Sequence, residues 1–284
     1  MEKFNDSVLE EKIREYLQTF IKTYAIARDR IGIPVDEKKL SDLIKNSTIE
    51  LYKAENSTAT FSVNPLNKWI AVIAENFLLN GEKRNNFLLL HEMTHLSSFN
   101  HRNIYQVERD EGLRRKFNRF VSVRENEDMT GTDVARGLIA IEEIVAQYVA
   151  EKCDEVLGGE PREPHKETHG ILGTDMNIYT TFANHDTYAP LENYVSKFAK
   201  KVGYKSIDDF IKDMVTGDAD IFDFIDNDSA VYVGYLGILC EGIYQEHGYE
   251  DCGLPESDIP KAIEYLDKQK IDIPFGEEPD AGDR

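Results

Sequence analysis

Residues 88–101 read "LLLHEMTHLSSFNH" and set His91, Glu92 and His95 in the spacing H-E-x-x-H. On a helix, side chains four apart stand one above the other, so His91 and His95 can reach a single ion. Imidazole nitrogen suits zinc, and a catalytic zinc takes about three protein ligands and keeps one position open. Glu92 lies one step round the helix, where a carboxylate can take a proton from water at that open position. The chemistry this spacing points to is metal-assisted hydrolysis. Glu92 is the only charged residue between Arg84 and Arg102, while Leu88, Leu89, Leu90, Met93, Leu96 and Phe99 surround it. Such a helix is expected to be buried, and an unpartnered carboxylate there costs on the order of several kcal/mol. A metal ion and its water supply partners; two satisfied core histidines beside a salt-bridged glutamate are the plainer alternative.

Two histidines leave the ligand set one short, and several residues compete for the place. His101 stands six positions beyond His95, where a longer zinc motif has its third histidine, but Ser98 replaces the glycine that lets such a helix turn back. His165 and His169 in "HKETH" lie in a Gly- and Pro-rich stretch that reads as a long loop, a weak base for a rigid site. The segment "GLIAIEEIVAQYVAEK" offers Glu142 and Glu143. Leu138, Ile141, Ile144, Val145, Tyr148 and Val149 make one apolar stripe, with Ala140, Ala146 and Ala150 on the other side. Glu143 belongs to the alanine side, where another helix can come close, and Gln147 follows one turn later as a residue able to orient a ligand. Glu142 lies nearer the apolar stripe. The pattern favours Glu143 and keeps Glu142 and His101 open.

The elements that must hold these residues follow from periodicity. Leu9, Ile13, Leu17, Phe20, Ile21 and Tyr24 predict a helix over 7–29, and a second is expected over 36–45. "TIELYKA", "TATFSVN" and "KWIAVIA" are short β-branched and aromatic runs separated by turn residues, which predicts a small antiparallel sheet. Helical spacing returns over 83–100. Residues 101–132 are charged and irregular, and a long helix follows with Asp133 as its expected N-cap. Further helices are expected over 189–202, 206–215, 228–247 and 258–268. The organisation expected is an N-terminal helical segment at 1–47, an upper lobe with sheet and H-E-x-x-H helix at 48–130, a helical lower lobe at 131–271 and a flexible tail at 272–284.

Composition narrows the classes of partner. The 284 residues are 41% hydrophobic and 30% charged, an ordinary globular balance, and the net charge is −20. That charge argues against nucleic acid or an anionic membrane as partner. The charged, amphipathic start lacks the apolar core of a signal peptide, and no run reaches the ~18 apolar residues of a membrane span. Cys153, Cys240 and Cys252 are odd in number and lack Cys-x-x-Cys spacing, as expected of reduced thiols in the cytoplasm. Oligomeric state is not fixed by these features.

The order of "KWIAVIA", "NNFLLLHEMTHLSS" and "AIEEIVAQYVAEK", the last with a Glu-x-x-Ala-Gln core, resembles the gluzincin branch of zinc metallopeptidases, particularly compact bacterial members. The resemblance covers about residues 48–215, including "TYAPLENYVSKFAKKVGYKSIDDFIKDMVTGD"; Ile144 stands where such proteins commonly carry glycine after the ligand. It implies an α+β, mostly helical, zincin-like two-lobed fold with a small antiparallel sheet and an active-site helix. It further implies Zn2+ on His91, His95 and Glu143, Glu92 as general base, and Tyr188 as the group that stabilises the oxyanion. The strand at 68–74 is expected to be the sheet edge that receives an extended peptide or protein substrate. The implied activity is peptide-bond hydrolysis; a zinc- or peptide-binding regulatory module without proteolytic activity is the competing expectation.

Overall fold

The computed structural model describes residues 2–53, 61–64, 69–73, 82–98, 131–161, 165–171, 174–180, 182, 188–224, 227–246 and 258–269. His101, Cys252, the irregular stretch to residue 130 and the tail at 272–284 lie outside the described residues. The fold is α+β and mostly helical, and the chain divides into two compact units. The first holds Met1–Glu108, Val145–Pro161 and Lys212–Ala219; the second holds Arg109–Ile144, Arg162–Ile211 and Asp220–Arg284.

In the first unit, helix α1 (Ser7–Arg30) starts where Asp6 accepts hydrogen bonds from the Val8 and Leu9 amides. Its buried positions Ile13, Leu17, Phe20, Ile21 and Tyr24 are the predicted stripe. Helix α2 (Glu37–Lys45) is capped by Asp36, which accepts from the Lys39 amide, and buries Leu40 and Ile44. Arg14 of α1 donates to the Ile44 carbonyl at 2.7 Å and the Ser47 carbonyl at 3.1 Å. A cation thereby satisfies acceptors that a helix end leaves open.

The sheet departs from expectation in three ways. A short strand β1 (Glu2–Phe4) joins β2 (Thr48–Lys53), β3 (Phe61–Asn64) and β4 (Trp69–Ile73), in the order β1-β2-β4-β3. The sheet is mixed rather than antiparallel: β1 and β3 run antiparallel to their neighbours, but β2 pairs with β4 in parallel, Ile49 opposite Ile70 and Leu51 opposite Val72. Those four side chains are buried. The third correction concerns 68–74, expected at the sheet edge. β4 lies inside, hydrogen-bonded on both sides, and the edges are β1 and β3. The apolar "WIAVI" run fits an interior strand better than an edge. Helix α3 (Glu82–Ser97) follows, and β3 is the strand that packs on it.

Helix α4 (Gly131–Val156) begins two residues before Asp133, which sits in its first turn rather than capping it. The boundary between the units falls inside α4, between Ile144 and Val145. Cys153, on α4, is buried and free, and burial pushes its thiol up to about 12. Cys240, in the other unit, is buried as well.

In the second unit, the expected long loop after residue 158 contains a hairpin of β5 (His165–Ile171) and β6 (Thr174–Thr180), paired antiparallel. His165 and His169 are therefore strand residues, opposite Thr180 and Met176. Helix α5 (Ala189–Lys201) follows with Pro190 in its first turn. Helices α6 (Ile207–Thr216), which passes into the first unit at Lys212, α7 (Asn227–Glu246) and α8 (Asp258–Lys268) match the predicted segments to within one residue at each end. Phe198 packs edge-on to Phe210 and against Tyr232, whose hydroxyl donates to the Tyr194 carbonyl at 2.7 Å. No helix among the described residues is long and apolar enough to cross a membrane.

Candidate metal centre

The helix α3 is built as its sequence demands. Leu89, Leu90, Met93 and Leu96 are buried, and so are His91 and His95. Glu92 is only half-buried, the exposure a carboxylate needs to exchange protons with water. The face that carries Thr94 and Ser97 is pinned by Tyr24 of α1, whose hydroxyl lies 3.0 Å from both Thr94 Oγ1 and Ser97 Oγ. Arg28 donates to the same tyrosine oxygen. This buried network sets the rotation of α3 and so the direction of its two imidazoles.

The Nε2 atoms of His91 and His95 are 3.1 Å apart, with ring planes at 80° and centroids 4.7 Å apart. Two nitrogens at that distance cannot direct lone pairs at each other; a proton or a cation must lie between them. A tetrahedral ion at roughly 2.0–2.1 Å from each nitrogen sets them about 3.3 Å apart, close to the spacing observed. Glu143 of α4 completes the set. One ligand atom from each of His91, His95 and Glu143 lies within 4.8 Å of the others, a group that could hold a metal ion. Two imidazoles and one carboxylate are a donor set that suits zinc and leave the fourth position open.

Helix α4 is buried on both its alanine side and its apolar stripe, and Glu143 itself is half-buried. Ala140, Ala146 and Ala150 are all buried, so a neighbour comes close on that side. Glu142 is 1% exposed and stands outside the three-residue group. Gln147 does not orient the site, because its amide nitrogen donates to Glu151 at 2.9 Å, one turn further along α4. Tyr188 is brought to the centre: its hydroxyl donates to Glu143 Oε2 at 3.2 Å from the position just before α5. A hydrogen bond to a ligand carboxylate fixes its orientation and leaves the other oxygen for an ion. Tyr188→Phe is expected to weaken zinc binding by about 10–100-fold while the far-UV spectrum stays unchanged. Titration against a zinc-buffering chelator measures this, and an unaltered affinity would leave Tyr188 no part in holding Glu143.

One residue near the centre is not legible from sequence. Tyr244 of α7 is half-buried, and desolvation raises its phenol above the usual range; the nearby Cys240, Glu143 and Tyr188 push in the same direction. It is therefore a fixed neutral hydroxyl beside Glu143 and Tyr188. Tyr244 lies a hundred positions from Glu143, and no local spacing announces the pairing. No family model matches the chain, and no match was found among the curated proteins or the solved structures.

Proposed function

We propose that the chain is a zinc-dependent peptidase of the gluzincin-like, two-lobed zincin type, acting on peptide or protein substrates. The observation that carries this reading is the convergence of His91 and His95 from one helix with Glu143 from another, beside a half-buried Glu92. When bound, zinc supplies a Lewis acid for the scissile carbonyl and makes water a stronger acid. The chain's own residues do the rest. Glu92 accepts a proton from the attacking water and hands it to the departing amine, which needs a carboxylate that is neither fully desolvated nor committed to the ion. Tyr188 steadies Glu143 through the one proton its hydroxyl can donate; supporting an oxyanion in its place requires that proton to swing from Glu143 to the substrate oxygen. An extended substrate pairs with the side of β3 that no strand among the described residues occupies, since β4 has both sides occupied and β3 packs on α3.

Zinc stoichiometry on the purified protein tests the ligand set. The wild type, Glu142→Gln and His101→Ala are expected to carry about one zinc per chain, and Glu143→Ala to lose most of it. Metal retained in Glu143→Ala and lost in His101→Ala would overturn the assignment. A wild type with only traces of zinc after growth in zinc-rich medium would remove the enzyme reading as a whole.

A further inference from the structure

The first unit contains a second feature, outside the three-ligand group but sharing Arg28 and Ser97 with the network that sets the rotation of α3. A cleft of about 650 Å³ opens between the end of α1, the turn that leads into α2, α2 itself and the last turns of α3 and α6. That volume lies within the range typical of small-ligand sites. Its lining includes Arg28, only 1% exposed. Arg28 donates from Nε to the Ile33 carbonyl at 2.8 Å, and from Nη1 to the Tyr24 hydroxyl and to Ser97 Oγ at 3.2 Å. Its guanidinium also sits 5.3 Å over the Tyr24 ring. Every one of these partners is neutral. Among the described residues no carboxylate pairs with it, and Nη2 donates to none of them.

A buried guanidinium that meets only neutral partners keeps its full positive charge, and Nη2 is left to donate to an acceptor that enters the cleft. The rest of the cleft says which anion. Leu40, Leu43, Leu96 and Val215 give it apolar walls. Asp36, Asp42 and Asp218 stand exposed at its rim, with Lys39 among them. Three carboxylates against one lysine leave the rim net negative, and with a chain charge of −20 it disfavours a multiply charged anion and favours a ligand with an ammonium at its outer end. We infer that this cleft binds a small zwitterion, an apolar amino acid or a short peptide ending in one, with its carboxylate on Arg28. The planar fork of arginine matches a carboxylate, the side chain lies among the leucines, and the amino group faces the rim aspartates. This site is independent of the zinc reading and stands or falls without it.

Calorimetric titration of the intact protein with leucine, glycylleucine, leucinamide, 4-methylpentanoate and inorganic phosphate tests the assignment. Saturable binding is expected for leucine, for glycylleucine or for both, which tells the free amino acid from the peptide end. Leucinamide, without the carboxylate, is expected to bind at least about tenfold more weakly. Arg28→Gln is expected to abolish binding. Because Arg28 is buried, Leu43→Trp, which fills the cleft from a half-buried position, provides a second variant expected to keep the fold and lose the ligand. Asp42→Asn, at the exposed rim, is expected to weaken leucine and leave 4-methylpentanoate unaffected. Leucinamide binding as tightly as leucine, binding of phosphate alone, or no saturation by any of the five at millimolar concentration would overturn the proposal.

Discussion

Glu92→Gln is expected to keep its zinc and to lose peptide hydrolysis by about 10²–10⁴-fold, the usual contribution of a placed general base. The substitution preserves the volume and one hydrogen-bonding oxygen of the side chain while removing its capacity to accept a proton at neutral pH. Glu92 is half-buried and outside the three-ligand group, so its loss leaves the centre's donors in place. The measurement is a digest of a mixed peptide library by both proteins, with zinc content determined on the same samples. Cleavage persisting at the wild-type rate would end the water-activating role. Loss of zinc together with activity would move Glu92 from base to structural support.

The second large effect concerns the packing of α4 against α7 in the second unit. A Cβ at Gly137 would fall on the Val233 carbonyl oxygen, and one at Gly237 would fall on the Asp133 carbonyl oxygen. In both cases the obstacle is backbone, which cannot rotate away as a side-chain tip can. Alanine is the better helix former by about 1 kcal/mol, so propensity alone predicts that Gly137→Ala and Gly237→Ala stabilise the protein. Packing predicts the opposite and the larger effect, a destabilisation of about 3 kcal/mol for either change, read by denaturant titration. Gly32, where nothing lies within 4 Å of the added carbon but φ is +74°, separates the two causes. Alanine there tests strain without crowding, and about 1 kcal/mol is expected. Equal costs at Gly32 and Gly137 would mean that helix contact is not what glycine provides in α4.

How much of this was readable in advance depends on the range of the interaction. The α1 stripe is legible because an amphipathic helix repeats its signal every three or four residues over six turns. His91 and His95 are legible for the same reason, since one helical turn relates them. Glu143 required more, namely that its alanine-lined side be the side of close approach; α4 is buried on both sides, and it is the three-residue group itself that separates Glu143 from Glu142. The sheet was harder. Strand existence follows from composition, but strand order depends on which distant run pairs with which, and the parallel pairing of β2 with β4 leaves no trace in either segment alone. The hairpin of β5 and β6 was missed because "HKETHGI" and "TDMNIYT" lack a clean apolar alternation and Pro161 and Pro164 dominate the reading. Arg28, at the charged end of α1, reads as a helix-terminal cation; only its tertiary burial sets it apart.

The division of the chain inside α4 bears on how the protein can be dissected. Val145–Pro161 is part of the first unit, although more than thirty residues separate it from Glu108 in the chain. A fragment that stops before Gly131 lacks Val145, Val149 and Cys153, all fully buried. It is therefore a core with its filling removed. Neither unit corresponds to a continuous stretch of the gene. Excising either as a free-standing module, or swapping it into a chimera at a single junction, breaks a helix in its middle; exchange by recombination must carry both units together.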